Sequence, residues 1–237
     1  MSMTLAIPIV YDHTDFIVIN KPCGVAMHDP KYGICQRLTQ QMGISQIFLV
    51  HRLDTATSGC LLLAKNKSAA ATLSQLFAER KIDKYYLAIS DKKPKKKQGK
   101  IAGDMKKSRD GNHMLSMAQN TPATAITFFQ SESIPSGGRL YYVKPVTGKT
   151  HQIRVALKSL GSPILGDDRY KGSAADRLYL HSMMLSFTLN TVAYNIRCLP
   201  QTGRFFSQQL LDTICSPDSF DWPKYKAPLA NTKDLAK

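Results

Sequence analysis

The stretch Val50-His51-Arg52-Leu53-Asp54-Thr55-Ala56-Thr57-Ser58-Gly59, which runs at once into Cys60-Leu61-Leu62-Leu63-Ala64, organises the reading of this chain. The first half is short, polar and rich in side chains that bond nearby backbone amides, which is the chemistry of a turn. The second half is an apolar run that predicts a buried strand. Together they hold one carboxylate, Asp54, on a rigid edge beside Arg52 and His51. Two readings follow: a turn-capping Asp ringed by surface charge, or a reactive carboxylate fixed in place. The rest of the chain decides between them.

Upstream, Phe16-Ile17-Val18-Ile19 is β-rich and ends at Asn20-Lys21-Pro22-Cys23-Gly24, a turn signal. Downstream, Asn66 or Ser68 can cap a helix running towards Arg80, with Leu73, Leu76, Phe77, Ala69 and Ala70 on its apolar face. Lys84-Tyr85-Tyr86-Leu87-Ala88-Ile89 predicts a strand. Thr124 to Phe129 and Arg139 to Val143 predict two more, joined by a Pro/Ser/Gly turn. Thr150 is the expected cap of a second helix, with Ile153, Ala156, Leu157 and Leu160 inward and Gly161 at its end. Strand-like runs follow at Leu178 to His181, Leu185 to Leu189 and Val192 to Leu199. Strands outnumber helices and hairpin spacings recur. The fold class is therefore α+β, a largely antiparallel mixed β-sheet with flanking helices and basic loops. The expected layout is a single domain over residues 1–215 and a loosely ordered C-terminal tail over 216–237.

A chain of 237 residues that is 43% hydrophobic can bury a sizeable core. Its formal charge of +15 points to a polyanionic partner, nucleic acid before an anionic membrane, because each neutralised phosphate releases a counterion. No apolar run approaches the roughly 20 residues needed to span a bilayer. The opening Met1-Ser2-Met3-Thr4-Leu5-Ala6 lacks the pattern of a signal peptide. Five widely spaced cysteines, with no CxxC pair, indicate neither a disulfide framework nor a zinc site. These observations together predict a cytoplasmic protein. Eight lysines against one acid, Asp104, fall between Lys92 and Lys107, a basic stretch suited to lying along a phosphate backbone.

Gly148-Lys149-Thr150 is not a phosphate loop, since the glycine required five positions earlier is Val143. An aspartyl-phosphate reading of Asp54 fails because its second acid would fall at Ala56. The six histidines (13, 28, 51, 113, 151 and 181) show no metal-ligand spacing, and no metal is expected. Thr147-Gly148-Lys149-Thr150-His151-Gln152-Ile153-Arg154 is more telling. On a helix, His151 and Arg154 share a face, and with Lys149 they make an anion-attracting corner at its N-terminus.

These segments together resemble the RluA-like pseudouridine synthases, which isomerise uridine in RNA. Asp15-Phe16-Ile17-Val18-Ile19-Asn20-Lys21-Pro22 with Gly24 resembles the family's opening strand and Lys-Pro turn. His51-Arg52-Leu53-Asp54 with Ser58-Gly59 resembles its signature loop. Lys84, Tyr86 and Ala88 match its K-x-Y-x-A strand. Thr147 to Arg154, Gly161 to Asp167 with Tyr170, and Leu180-His181 complete the series. The match runs from about Asp15 to Leu199, as a stand-alone catalytic domain without the N-terminal S4-type RNA-binding domain of many relatives. Lys149 departs from the family's usual Arg, Ala156 from a common His and Ser182 from a common Ala.

The resemblance implies the pseudouridine synthase fold and a reaction that breaks a C–N glycosidic bond, turns the base and rejoins it through carbon. That reaction is redox-neutral and calls for no cofactor. It implies a catalytic Asp54, an ion-pair partner in Arg154, and Tyr86 packed against the target base with a lesser part in removing the C5 proton. His51 and Arg52, with Thr55, Lys21, Lys149, His151 and Gln152, are the implied RNA-binding residues. The implied partner is RNA, ribosomal or transfer, with no membrane or nucleotide cofactor and a monomer as the simplest state. The competing expectation is an RNA-binding protein or chaperone derived from a synthase but without activity.

Overall fold

The computed structural model describes residues 6–29, 32–108, 111–116, 123–135 and 137–223. In chain order the elements are β1 (Ile9–Asp12), β2 (Phe16–Lys21), α1 (Ile34–Met42), β3 (Phe48–Leu49), β4 (Ser58–Ala64), α2 (Lys67–Ala78) and β5 (Asp83–Ser90). There follow β6 (Gln98–Lys107), β7 (His113–Ser116), β8 (Ala125–Ser133), β9 (Arg139–Pro145) and α3 (Gln152–Ser159). The chain then forms β10 (Leu180–Leu189), β11 (Val192–Arg197) and the short α4 (Gln208–Leu211).

The strands form one sheet in the order β1-β2-β4-β10-β5-β9-β8-β6-β7, with β11 on β10 and β3 on β4. Its pairings are antiparallel except β4 with β10. Both faces are covered. Ile17, Ile19, Leu61 and Leu63 point to the larger core, which also takes Leu38 of α1 and Ile153 and Leu157 of α3. Phe16, Val18, Cys60 and Leu62 point the other way, onto Ala69 and Leu73 of α2. Strands buried on both faces read as continuous apolar runs rather than alternating ones, which is why Cys60 to Ala64 is so plain in the sequence. Each such leucine contributes roughly 1.5–3 kcal/mol by burial.

The parallel pairing brings the start of β4 against the start of β10, with Gly59 opposite Ser182. A Cβ on Gly59 would lie 2.2 Å from the Ser182 carbonyl oxygen, and its φ of +112° suits only glycine. This close approach fixes the loop that precedes β4, the loop carrying Asp54.

Several expectations shift. The end of the first run, Leu180-His181, and the run Leu185 to Leu189 belong to one strand, β10, whose register slips between Ser182 and Met184. The second half of the lysine-rich window is strand β6. Within the tail expected to be loosely ordered, Pro217 is buried, Phe220 meets Tyr142 edge-on at 4.8 Å, and Trp222 lies 6.1 Å from Tyr85. The remainder of that tail, 224–237, lies outside the described residues. No helix among the described residues is long and apolar enough to cross a membrane.

Candidate active site

Asp54 occupies a loop pinned from beneath. Lys21 is fully buried and its ammonium donates to the carbonyls of Pro22 (3.0 Å), Val25 (2.9 Å) and Thr55 (3.0 Å). Three donors meet three acceptors, which is the full capacity of an ammonium group. Burial drives its pKa down to about 8, so the charge is retained at neutral pH. The Thr55 carbonyl also accepts from Gly24 N–H, and Thr57 N–H donates to the Asp54 carbonyl, closing the turn. His51 anchors the other end, where its Nε2 accepts from Leu62 N–H at 2.9 Å and its ring stacks on Phe77 at 4.4 Å. Burial, followed by the nearby charge of Lys84, lowers the His51 pKa to about 3, so the ring is neutral.

The opposite wall is α3. Its expected cap, Thr150, is not used. His151 precedes the helix in a left-handed conformation, φ 57°, and Gln152 opens it. The Gln152 carboxamide oxygen accepts from Thr147 Oγ1 (2.7 Å) and Lys149 N–H (3.0 Å), while its nitrogen donates to Ile126 O and Thr127 Oγ1. The loop is thus tied to β8, and Arg154 emerges at a fixed place. Arg154 Nε and Nη2 donate to the two oxygens of Asp167 at 2.8 and 2.7 Å, a bidentate pair with both residues buried. Its free Nη1 donates to Asp54 Oδ2 at 3.3 Å. Burial opposes the Arg154 charge, but the hydrogen bond and charge of Asp167, then those of Asp54, raise its pKa above the usual arginine value. The Tyr170 ring lies under the guanidinium, 5.0 Å from its centroid. His151 completes the cluster, with Nδ1 2.8 Å from the Tyr170 hydroxyl and Nε2 3.9 Å from Asp54 Oδ2. Burial, more than the neighbouring Asp54 can offset, lowers the pKa of His151.

Asp54, Arg154, Tyr86, His151, Arg52 and Lys149 line one open cleft of about 1040 Å³. Tyr86, on β5, is buried, and desolvation pushes its phenol well above the usual tyrosine range. The cleft can therefore offer a flat, neutral ring on one side and a carboxylate beside a fixed cation on the other. Among the described residues no group of His, Cys, Asp or Glu is placed to hold a metal ion.

Some of the residues expected to touch RNA are placed elsewhere. Lys21 and Gln152 are buried with every side-chain donor engaged by protein, so they build the site rather than face the cleft. His51 lines the cleft but its ring is neutral, with Nε2 committed to the backbone. Thr55 is exposed and absent from the cleft lining, its carbonyl held by Lys21. Arg52 and Lys149, both exposed at the rim, and His151, beside Asp54, remain in the cleft. Asp167 was not among the expected site residues, although it stands in a segment that carried the resemblance; its link to Arg154 crosses thirteen residues and a loop that no helical spacing reveals.

One prediction follows from the Lys21 pin. Lys21→Met is expected to lower stability by about 2 kcal/mol, through carbonyls left unpaired, and to reduce turnover by loosening the Asp54 loop. Denaturant melts and kcat at saturating RNA would check this. A loss confined to RNA affinity, with stability unchanged, would make Lys21 a phosphate ligand instead.

Comparison with known proteins identifies the family and the fold. A family model described as RNA pseudouridylate synthase matches residues 15–159, more than half of the chain. A Haemophilus influenzae protein named as an uncharacterized RNA pseudouridine synthase is 48% identical over 206 residues, covering 85% of this chain and 91% of that protein. The ribosomal large subunit pseudouridine synthase C of Escherichia coli K12 is 33% identical over 201 residues, 78% of this chain. The chain spans 63% of the length of that relative. Among solved structures, human RNA pseudouridylate synthase domain containing 1 superposes with a TM-score of 0.74 at 24% identity, over 94% of this chain and all of that one. Human RNA pseudouridylate synthase domain containing 4 gives 0.66 at 26% identity, over 84% and 90%. The fold is that of the pseudouridine synthases, and the chain belongs to the RNA pseudouridylate synthase family, in its RluA-like group.

Proposed function

We propose that this protein isomerises uridine to pseudouridine in RNA, with Asp54 as the catalytic carboxylate. The observation that carries the proposal is the Asp54 carboxylate held 3.3 Å from a buried, doubly anchored Arg154 in a cleft lined by Tyr86. The target base must leave its stack, at a cost of a few kcal/mol. Stacking on Tyr86 offsets about 1–3 kcal/mol of that. Asp54 then acts on the ribose, by attack at C1′ or by removing the C2′ proton, and the N1–C1′ bond breaks. The freed uracil turns and C5 bonds to C1′ as the Asp54–C1′ ester bond breaks or, on the second route, as Asp54 returns its proton to C2′. N1 takes up a proton, and the C5 proton then leaves. Nothing is oxidised or reduced. The raised pKa of Tyr86 suits a neutral stacking platform rather than a phenolate base for that last proton.

Arg52 and Lys149, at the rim, serve the RNA backbone, and His151 stands next to the reacting carboxylate. The lysines of 92–97 follow β5 and are absent from the cleft lining, which favours a part in holding RNA beyond the target nucleotide. The relatives named for the ribosomal large subunit support ribosomal RNA ahead of transfer RNA as substrate; a monomer in the cytoplasm is the simplest setting for this reaction.

Mapping pseudouridine in all RNA from cells with and without the gene tests this reading. One or a few positions are expected to lose the modification and to regain it on complementation. An unchanged map across ribosomal and transfer RNA would favour an RNA-binding protein without activity.

A further inference from the structure

Lys84 brings a charge to the cleft that the roles above leave unused. It stands on β5 two residues before Tyr86, so both side chains leave the same face of the strand, and both line the cleft. Its neighbour Asp83 leaves the opposite face and is taken by Lys144 at 2.8 Å. Among the described residues the Lys84 ammonium, half-buried at the cleft wall, has neither an ion pair nor a hydrogen bond. The two acids that line the cleft do not supply one: Asp54 is held by Arg154, and Glu79 pairs with Lys81.

The space beside this ammonium is open. A Cβ built on Gly148 would lie 3.9 Å from Lys84 Nζ with no other atom within 4 Å. The backbone of Gly148 does not have a positive φ and does not itself demand glycine, so what the residue provides is room. Burial lowers the Lys84 pKa to about 8, with Asp83 opposing that shift and Arg80 adding to it. An unpaired, half-buried cation that faces a cleft marks a place where a ligand can supply the missing partner. In a cleft that receives RNA, the anion available is the phosphodiester.

We propose that Lys84 binds a backbone phosphodiester flanking the uridine delivered to Tyr86 and Asp54, and so positions the extruded nucleotide. This rests on the isomerase reading above. An ammonium is a point charge without a fixed fork, which suits a phosphate that swings as its base leaves the stack.

The test compares wild type with Lys84→Met and Lys84→Arg on total RNA from cells lacking the gene. Lys84→Met is expected to lose about 10- to 100-fold in kcat/KM, mainly through KM. Its slope of log affinity against log salt should become shallower by about 1. Its melting temperature should stay within a few degrees of wild type, because the ammonium holds no partner in the fold, and Lys84→Arg should restore most of the affinity. A second readout needs no turnover. By NMR titration, wild type should bind uridine 5′- or 3′-monophosphate more tightly than uridine, and Lys84→Met should lose that preference. An active wild type with an unaffected Lys84→Met variant overturns this inference alone. An inactive wild type overturns the isomerase reading, and the mononucleotide titration then still decides Lys84.

Discussion

Asp54→Asn is expected to leave pseudouridine formation roughly 10⁴-fold or more below wild type in a single-turnover assay, the scale on which loss of a reacting group falls. The substitution keeps shape and removes charge. Arg154 stays anchored, because two of its three hydrogen bonds run to Asp167 and only one to Asp54. The fold should therefore be intact, with a melting temperature within a few degrees of wild type and RNA affinity little changed. Product at the wild-type level would remove Asp54 from the chemistry. Product lost together with the fold would leave Asp54 as a turn cap, the plain alternative its sequence context always offered.

The second large effect falls on stability. Asp167→Ala strips the buried guanidinium of its bidentate partner and should destabilise the protein by about 3–5 kcal/mol, the cost of stranding one half of a buried pair. Asp167 is also the cap of the short turn that positions Tyr170, accepting from Tyr170 N–H. For a chain of this size the loss corresponds to a fall of about 10 °C or more in melting temperature. Replacing both partners, Arg154→Met with Asp167→Leu, should recover most of the stability while activity stays absent. If the double variant is as unstable as the single one, the pair is not what holds this corner together. If Asp167→Ala melts like wild type, Arg154 does not depend on it.

These expectations rest on parts of the molecule that differ in how openly the sequence shows them. The strands around the site, β2, β4, β5 and β9, are largely buried on both faces and plain as apolar runs, whereas the polar His181 and Ser182 broke β10 into two. β6 was not plain, because Gln98 to Lys107 carries two glycines and four charged residues over a single well-buried isoleucine. α1 was missed for a related reason: it begins at Gly33 without a capping side chain and buries only Ile34 and Leu38 among polar neighbours. In the site, Asp54, Tyr86 and Arg154 were legible because each stands in a recognisable motif. Motifs do not report burial, however. Lys21 and Gln152 are polar residues that work inside the protein as ties, and nothing in their spacing separates a tie from a contact with RNA. His51 belongs with them, since its charge is removed by the wall it stacks on. Asp167 was visible as a residue but not as a partner, since only the folded chain brings it back to Arg154.

The sharing of Arg154 between two carboxylates has a consequence for repeated turnover. In the proposed reaction Asp54 gives up its negative charge once in each cycle, whether it is esterified or protonated. A counter-ion held by Asp54 alone would then be released to wander and would have to be recaptured. Asp167 prevents that, since it keeps the guanidinium in the same place through every stage, whatever the state of Asp54. The regenerated carboxylate meets its partner where it left it, and each round begins from a site that has not had to reassemble.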